Sequence, residues 1–248
     1  MLSAVVLTKN EEVNIVDCLE SLDFCDEIII IDDFSEDRTI QLAERYRVKI
    51  FKRRLENDFS SQRNFALEKA NGDFVLFLDA DERISSILRK EIIYKIDARK
   101  DTNGFLFKRE DFLFGKYLKH GETASVRLLR LAKKNGARWE GIVHEKMLVE
   151  GKTEELENPI LHFPHKSITE FLKEINLYTT LKANELFKEE KKVKFITIIL
   201  YPKAKFLLNF FIRRGFLDGI EGFIFAIFMS FHSFLVRAKL WMLWQKNF

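Results

Sequence analysis

The run Phe74-Val75-Leu76-Phe77-Leu78-Asp79-Ala80-Asp81 constrains the fold of this 248-residue chain more than any other stretch. Five large apolar residues in a row suit a strand buried on both faces, as at the centre of a parallel sheet covered by helices. Two carboxylates follow at its C-terminal end. Spaced two apart in extended chain, Asp79 and Asp81 point to the same side. Their repulsion calls for a positive partner, and Mg²⁺ is commonly held by one or two carboxylates plus substrate phosphates. The bland alternative is a strand that ends in solvent, with Glu82 and Arg83 as surface charges.

The rest of the N-terminal half repeats the pattern. Leu2-Ser3-Ala4-Val5-Val6-Leu7-Thr8 reads as a first buried strand, followed by Lys9-Asn10-Glu11-Glu12 and a helical spacing of Val13, Ile15, Val16, Leu19 and Leu22. Glu27 to Ile31 is a second strand closed by Asp32-Asp33. A helix is expected to start near Ser35-Glu36-Asp37-Arg38, a short strand over Val48 to Phe51, and a helix over Ser60 to Ala70 that ends at Asn71-Gly72. Strands alternating with helices imply a parallel α/β sheet. Ligands of such sheets bind beyond the carboxyl ends of the strands. Thr8 to Glu12, Asp32-Asp33 and Asp79-Asp81 all fall there.

Four motifs in order carry a resemblance: Thr8-Lys9-Asn10-Glu11-Glu12, Asp32-Asp33-Phe34-Ser35-Glu36-Asp37-Arg38-Thr39, Gln62-Arg63-Asn64 and Asp79-Ala80-Asp81-Glu82. Together they resemble the start of the family 2 glycosyltransferases over about the first hundred residues. Val143-His144-Glu145 and the Phe-rich tail are similar to the branch that builds lipopolysaccharide core, whose enzymes move glucose or heptose onto a lipid-linked core sugar. The resemblance implies a GT-A fold, an α/β, Rossmann-like, mostly parallel sheet flanked by helices. It also implies a nucleoside diphosphate-sugar donor, UDP-glucose or similar.

Under that resemblance Thr8, Asn10 and Glu12 line the nucleotide pocket with hydroxyl, amide and carboxylate groups. One of Asp32 or Asp33 accepts from the uracil N–H, and the pattern leaves open which. Arg63 supplies a planar fork for phosphate or a base edge, unless it is simply a surface arginine beside Lys52, Arg53 and Arg54. Asp79 and Asp81 hold Mg²⁺ or Mn²⁺ on the diphosphate, with Asp79 also counted in the donor site. Inverting transfer needs one general base near the acceptor hydroxyl. The family's Glu-Asp pair is absent, and His144-Glu145 stands in its place. Glu145 is the expected base and His144 a metal or phosphate neighbour; the reverse assignment is open on pKa grounds. Asp111, Glu140, His162 and His165 are further candidates, each more simply read as a solvated or hydrogen-bonded loop residue. Trp139 either stacks on a sugar or forms pocket wall.

The last third differs in character. Ser167 to Lys194 is helical and charged. Phe195 to Phe248 is then crowded with phenylalanine among Ile and Leu, with Lys203, Lys205, Arg213, Arg214, Arg237 and Lys239 interleaved. Residues 188–248 carry eleven basic and four acidic side chains, more than accounting for the chain's net +3. Such a segment suits an anionic membrane surface. Its longest uncharged run, Gly222 to Val236, is shorter than the roughly 20 residues of a span. Helices lying in the interface are therefore expected, as a peripheral, monotopic attachment. Packing onto the catalytic domain or pairing in a homo-oligomer is the competing reading. The expected layout is a catalytic domain over 1–165, with a nucleotide-sugar half 1–100 and an acceptor half 101–165, and a helical membrane-associating appendage over 166–248.

Two cysteines without metal spacing, Cys18 and Cys25, fit a reducing compartment. Met1 to Thr8 has no basic start, so no secretory leader is expected. The enzyme is thus expected at the cytoplasmic face of the inner membrane. No recognition-helix or base-stacking pattern points to nucleic acid. A nucleotidyltransferase would want a glycine-rich phosphate loop after the first strand, where this chain has none. A non-catalytic, membrane-associated nucleotide-binding protein is the other rival. The absence of Gly-x-Gly-x-x-Gly and Gly-Lys-Ser/Thr argues against dehydrogenases and P-loop enzymes.

Overall fold

Successive side chains of a strand point to opposite faces, and the central strands use both faces for burial. Val5, Ile29, Ile31, Val75 and Phe77 enter one hydrophobic cluster, while Ala4, Val6, Ile30, Leu76 and Leu78 enter another. A computed structural model describes residues 1–56, 58–98, 101–141, 145–164 and 167–246. The chain divides into two compact units, 1–110 with 126–162, and 111–125 with 163–248.

The first unit begins β1 (Leu2–Thr8), α1 (Ile15–Ser21), β2 (Glu27–Asp32), α2 (Thr39–Ala43), β3 (Lys49–Lys52), α3 (Phe59–Lys69), β4 (Phe74–Asp79), β5 (Glu82–Arg83) and α4 (Ser86–Ala98). β3, β2, β1 and β4 pair in parallel, in that spatial order. This is the half that the sequence pattern predicts. The other half comprises β6 (Thr102–Leu113), then, after the short β7 (Lys116–Leu118), β8 (Arg127–Lys133). β4–β8 and β6–β8 are antiparallel, so the sheet is mixed. β9 (Ala137–Glu140) and β10 (Lys146–Val149) make a separate antiparallel ribbon. β11 (Lys152–Glu155) runs parallel to β6, and β12 (Ile160–His162) pairs antiparallel with β5.

Glu82 and Arg83 are buried, which removes the solvated-turn reading of the Asp79–Asp81 strand end. Cys18 is buried and Cys25 partly so; burial pushes the Cys25 thiol up to about 12 and raises the Cys18 thiol as well.

The second unit holds α5 (Ile168–Lys188), α6 (Phe195–Leu207) with a wider helical turn over Leu208–Ile212, and α7 (Ile220–Lys246). Ser167 caps α5 by accepting from the Glu170 N–H at 3.2 Å. Phe171, Ile175, Thr179 and Ala183, four apart, form its buried face. Leu113, Leu118, Phe171, Ile175 and Phe225 make this unit's core. Lys239 of α7 donates to the Asn176 carbonyl at 2.6 Å and to the Thr179 and Thr180 hydroxyls at 2.8 and 2.7 Å. α6 and α7 turn back on each other through Gly215 and Gly222. A Cβ on Gly222 would stand 2.0 Å from the Gly215 carbonyl oxygen, so no larger residue fits there. Both α6 with its wide turn and α7 are long and apolar enough to cross a membrane by length and composition.

Candidate functional site

Three consecutive helix residues point in three directions, and Gln62-Arg63-Asn64 of α3 use all three. Gln62 exchanges hydrogen bonds with Arg53: Nε2 donates to its carbonyl and Oε1 accepts from Nη1, both at 2.9 Å. Asn64 pins β9 by two bonds of 2.9 Å with the backbone of Trp139. Arg63, only 3 % exposed, reaches the end of β4. Its Nη2 donates to Asp79 Oδ1 at 2.8 Å, and its Nε to Glu145 Oε1 at 3.2 Å. The guanidinium lies over the Trp139 ring, 4.6 Å from its centroid. Trp139 is therefore the wall under Arg63.

The second oxygen of Asp79 is also occupied. Arg130 of β8, itself buried, donates from Nη2 to Asp79 Oδ2 at 2.7 Å and lies 3.7 Å from Glu82. Burial alone would push the Asp79 carboxyl up, but Arg130 and Arg63 hold it far below the usual carboxylate range. Burial drives Glu82 the other way, above its ordinary value, against the pull of Arg130.

Asp79 and Asp81 have different side-chain partners. β4 ends at Asp79, and the chain turns: the Asp79 N–H donates to Glu82 Oε2 at 3.0 Å, and Arg83 Nη1 donates to the Ala80 carbonyl at 2.8 Å. The extended-chain rule stops where the strand stops. Asp81 instead meets His162, whose Nε2 is 3.2 Å from Asp81 Oδ2. β12 sets this contact by pairing His162 opposite Glu82. Among the described residues no cluster of three or more His, Cys, Asp or Glu is arranged for a metal. The chemistry of the Asp81–His162 pair, a carboxylate beside an imidazole, would suit a divalent ion such as Mn²⁺ that completes its shell with phosphate oxygens and water.

At the carboxyl ends of β1 and β2 lies a cleft of about 420 Å³ lined by Lys9, Asn10, Asp33, Phe34, Lys52 and Arg54, with Ser35 and Glu36. Its two loops are cross-braced. The Asn10 N–H donates to Ser35 Oγ at 2.9 Å, Asn10 Oδ1 accepts from the Glu36 N–H at 2.8 Å, and Glu12 Oε2 accepts from the Arg38 N–H at 3.1 Å. Asp32 is buried and engaged by the Ser35 N–H and hydroxyl, so it shapes the turn. Asp33 lines the cleft. Burial alone would raise its carboxyl, but Lys9, at 2.7 Å, and the Leu55 N–H hold it below the usual range. Phe34 adopts a left-handed backbone (φ 55°), a costly conformation for a bulky residue that keeps its ring at the cleft under Arg54, 4.7 Å away.

Of the residues expected at the site, Arg63, Asp79 and Glu145 come together, and Asn10 and Asp33 line the cleft. Thr8 is buried and its hydroxyl makes no hydrogen bond among the described residues, while Glu12 is engaged by Arg38. His144 and His165 lie outside the described residues. Arg130 is not among the expected site residues, and His162 is among them as a further candidate whose simpler reading is a loop residue. A single arginine in the apolar stretch Leu128-Leu129-Arg130-Leu131 was the available signal, because a charge is buried in a strand only with a partner.

A parallel half-sheet ending in an Asp-x-Asp turn, with a polar cleft beside it at the strand ends, defines a GT-A nucleotide-sugar transferase. The chain matches Glycosyl transferase family 2 over residues 3–146, and it belongs to that family. It is therefore a glycosyltransferase, and the nucleotidyltransferase alternative falls away. It is 30 % identical to the lipopolysaccharide core biosynthesis glycosyltransferase LpsC of Rhizobium meliloti, over 97 % of this chain and 92 % of that one. A glycosyltransferase of Rickettsia typhi, RT0209, is 29 % identical over 96 % of this chain and 86 % of its own length. In fold the chain is similar to the crystal structure of S. aureus TarS 1–349, with a TM-score of 0.50, 17 % identity and coverage of 100 % of this chain and 92 % of that one. It is similarly close to glucosyl-3-phosphoglycerate synthase of Mycobacterium tuberculosis, solved with Mn²⁺, UDP and glucosyl-3-phosphoglycerate, with a TM-score of 0.50, 14 % identity and coverage of 78 % and 81 %.

Proposed function

We propose that the chain is a metal-dependent, inverting glycosyltransferase. In this reading it moves a sugar from a UDP-sugar, UDP-glucose or similar, to a lipid-linked acceptor such as lipopolysaccharide core, at the cytoplasmic face of the inner membrane. The observation that carries the reading is the convergence of Asp81 with His162, next to a chain of contacts running Arg130–Asp79–Arg63–Glu145. The synthase of M. tuberculosis with Mn²⁺ and UDP supports the metal, and LpsC supports the acceptor class.

The residues divide the work. Asp33, ionised at neutral pH, accepts the uracil N–H, and Phe34 and Asn10 shape that end of the cleft. Asp81 and His162 would hold the divalent ion, which would supply positive charge to the departing diphosphate. Arg63 grips Oε1 of Glu145 and so aims Oε2 at the acceptor. The acceptor hydroxyl loses its proton to Glu145 Oε2 as its oxygen bonds to the anomeric carbon. The bond from that carbon to the diphosphate breaks, and the nucleoside diphosphate leaves with the electron pair. Arg130 and Arg63 keep Asp79 ionised and fixed between these two halves of the site.

The test is substitution of the metal pair. Asp81→Ala and His162→Gln should each lower metal-dependent kcat/KM by about a hundredfold or more with the circular-dichroism spectrum unchanged. Normal transfer by Asp81→Ala would remove the metal assignment.

A further inference from the structure

Residues 195–212 form one helical segment of mean hydropathy 1.5, yet Asn209 is the one residue of it that the structure buries. Exposed positions three and four residues apart draw a stripe along the helix through Ile196, Leu200, Lys203, Leu207 and Phe211, whose apolar members are 52–53 % exposed. The opposite side is engaged by α7: Phe206 and Phe210 meet Phe223 at 5.8 and 5.5 Å, and Ser230 Oγ donates to the Pro202 carbonyl at 2.8 Å. A bare apolar stripe of this length is an interaction surface.

Charge identifies what covers it. From Lys191 to Leu217 the sequence has seven basic residues and no acidic one. Lys191, Lys192 and Lys194 stand exposed before the helix, Lys203 on the stripe, and Arg214 just beyond its far end. A self-complementary face between two copies would set these cations against each other, whereas an anionic lipid surface matches them. Trp244 adds an aromatic group at the lysine end, with its Nε1 donating to the Lys191 carbonyl at 2.9 Å.

We propose that this face of α6 lies flat in the head-group layer of an anionic bilayer and is the chain's membrane anchor. The inference narrows the membrane contact of the proposed function from a whole segment to one helix face. A crossing is disfavoured by α5. That helix packs along α7 and carries Lys173, Glu174, Lys182 and Glu185, so a hairpin of α6 and α7 threaded through the bilayer would bring those charges towards hydrocarbon.

The experiment is flotation of the full chain with vesicles of phosphatidylcholine alone or mixed with phosphatidylglycerol. The parent should float only with the anionic vesicles, and less at high salt. Leu200→Glu and Leu207→Glu, both 52 % exposed on the stripe, should each lower binding by about tenfold or more. Leu177→Glu, exposed on α5, should not. Release of nucleoside diphosphate from the donor should be unchanged in all three, which separates this claim from the transferase reading. Three results would overturn the proposal: equal binding to neutral vesicles, stripe variants that bind like the parent, or stripe variants that lose only self-association by sedimentation.

Discussion

Asp79 is held by Arg63 on one oxygen and Arg130 on the other. Its pKa is depressed, so the stability it contributes is complete above the ordinary carboxylate value and is lost only as pH falls through the lowered one. Arg130→Met removes the leading cause of that depression. The acid-unfolding midpoint should move to higher pH, and the half-paired, partly exposed carboxylate should cost about 1–2 kcal/mol in denaturant melts at neutral pH. Glu145→Gln should behave differently. It keeps a hydrogen-bond acceptor for Arg63 but cannot take a proton, so turnover should fall about 10²–10⁴-fold while calorimetry shows the donor still bound. At this scale the sequence exposed the groups but not their partners. Asp79, Asp81, Arg63 and Glu145 stood out by type and position. That Asp81 meets His162 depends on β12 returning beside β5 across some eighty residues, and no local pattern encodes that pairing.

Among the elements, one side chain at the start of β2 joins four pieces of the sheet. Glu27 accepts from Ser3 Oγ of β1 at 2.6 Å, from the N–H and side chain of Asn71 before β4 at 2.9 and 2.7 Å, and from Lys49 of β3 at 2.5 Å. Burial alone would raise its carboxyl, but Lys49, Ser3 and Asn71 bring it down to about 2. The carboxylate's contribution is therefore present above the ordinary value of 4.5 and is lost as pH falls through about 2. Glu27→Gln should cost about 1–3 kcal/mol at pH 7, with the gap between variant and parent closing towards pH 2 in urea titrations. β1, β2 and β4 were readable because strands buried on both faces are continuous apolar runs. The antiparallel β6 and β8 were not, because charges such as Lys108, Arg109, Arg127 and Arg130 interrupt their apolar residues.

The chain as a whole joins a family 2 catalytic fold to a helical unit whose apolar surface is left uncovered. Composition sets residues 188–248 apart, since a run rich in phenylalanine and cations has few uses in a sheet. It did not reveal that segment 111–125 belongs with it, through contacts such as Asp218 accepting from the His120 N–H at 2.8 Å and Lys205 meeting Glu122 at 2.6 Å. The proposed reaction turns on metal-assisted release of a nucleoside diphosphate. The direct measurement is nucleotide release from a panel of nucleotide-sugars, with Mn²⁺ or Mg²⁺ present and after chelation. Release from a UDP-sugar that stops on chelation, returns when the ion is restored and is absent in Asp81→Ala is the predicted result. Release that persists undiminished after chelation would contradict it.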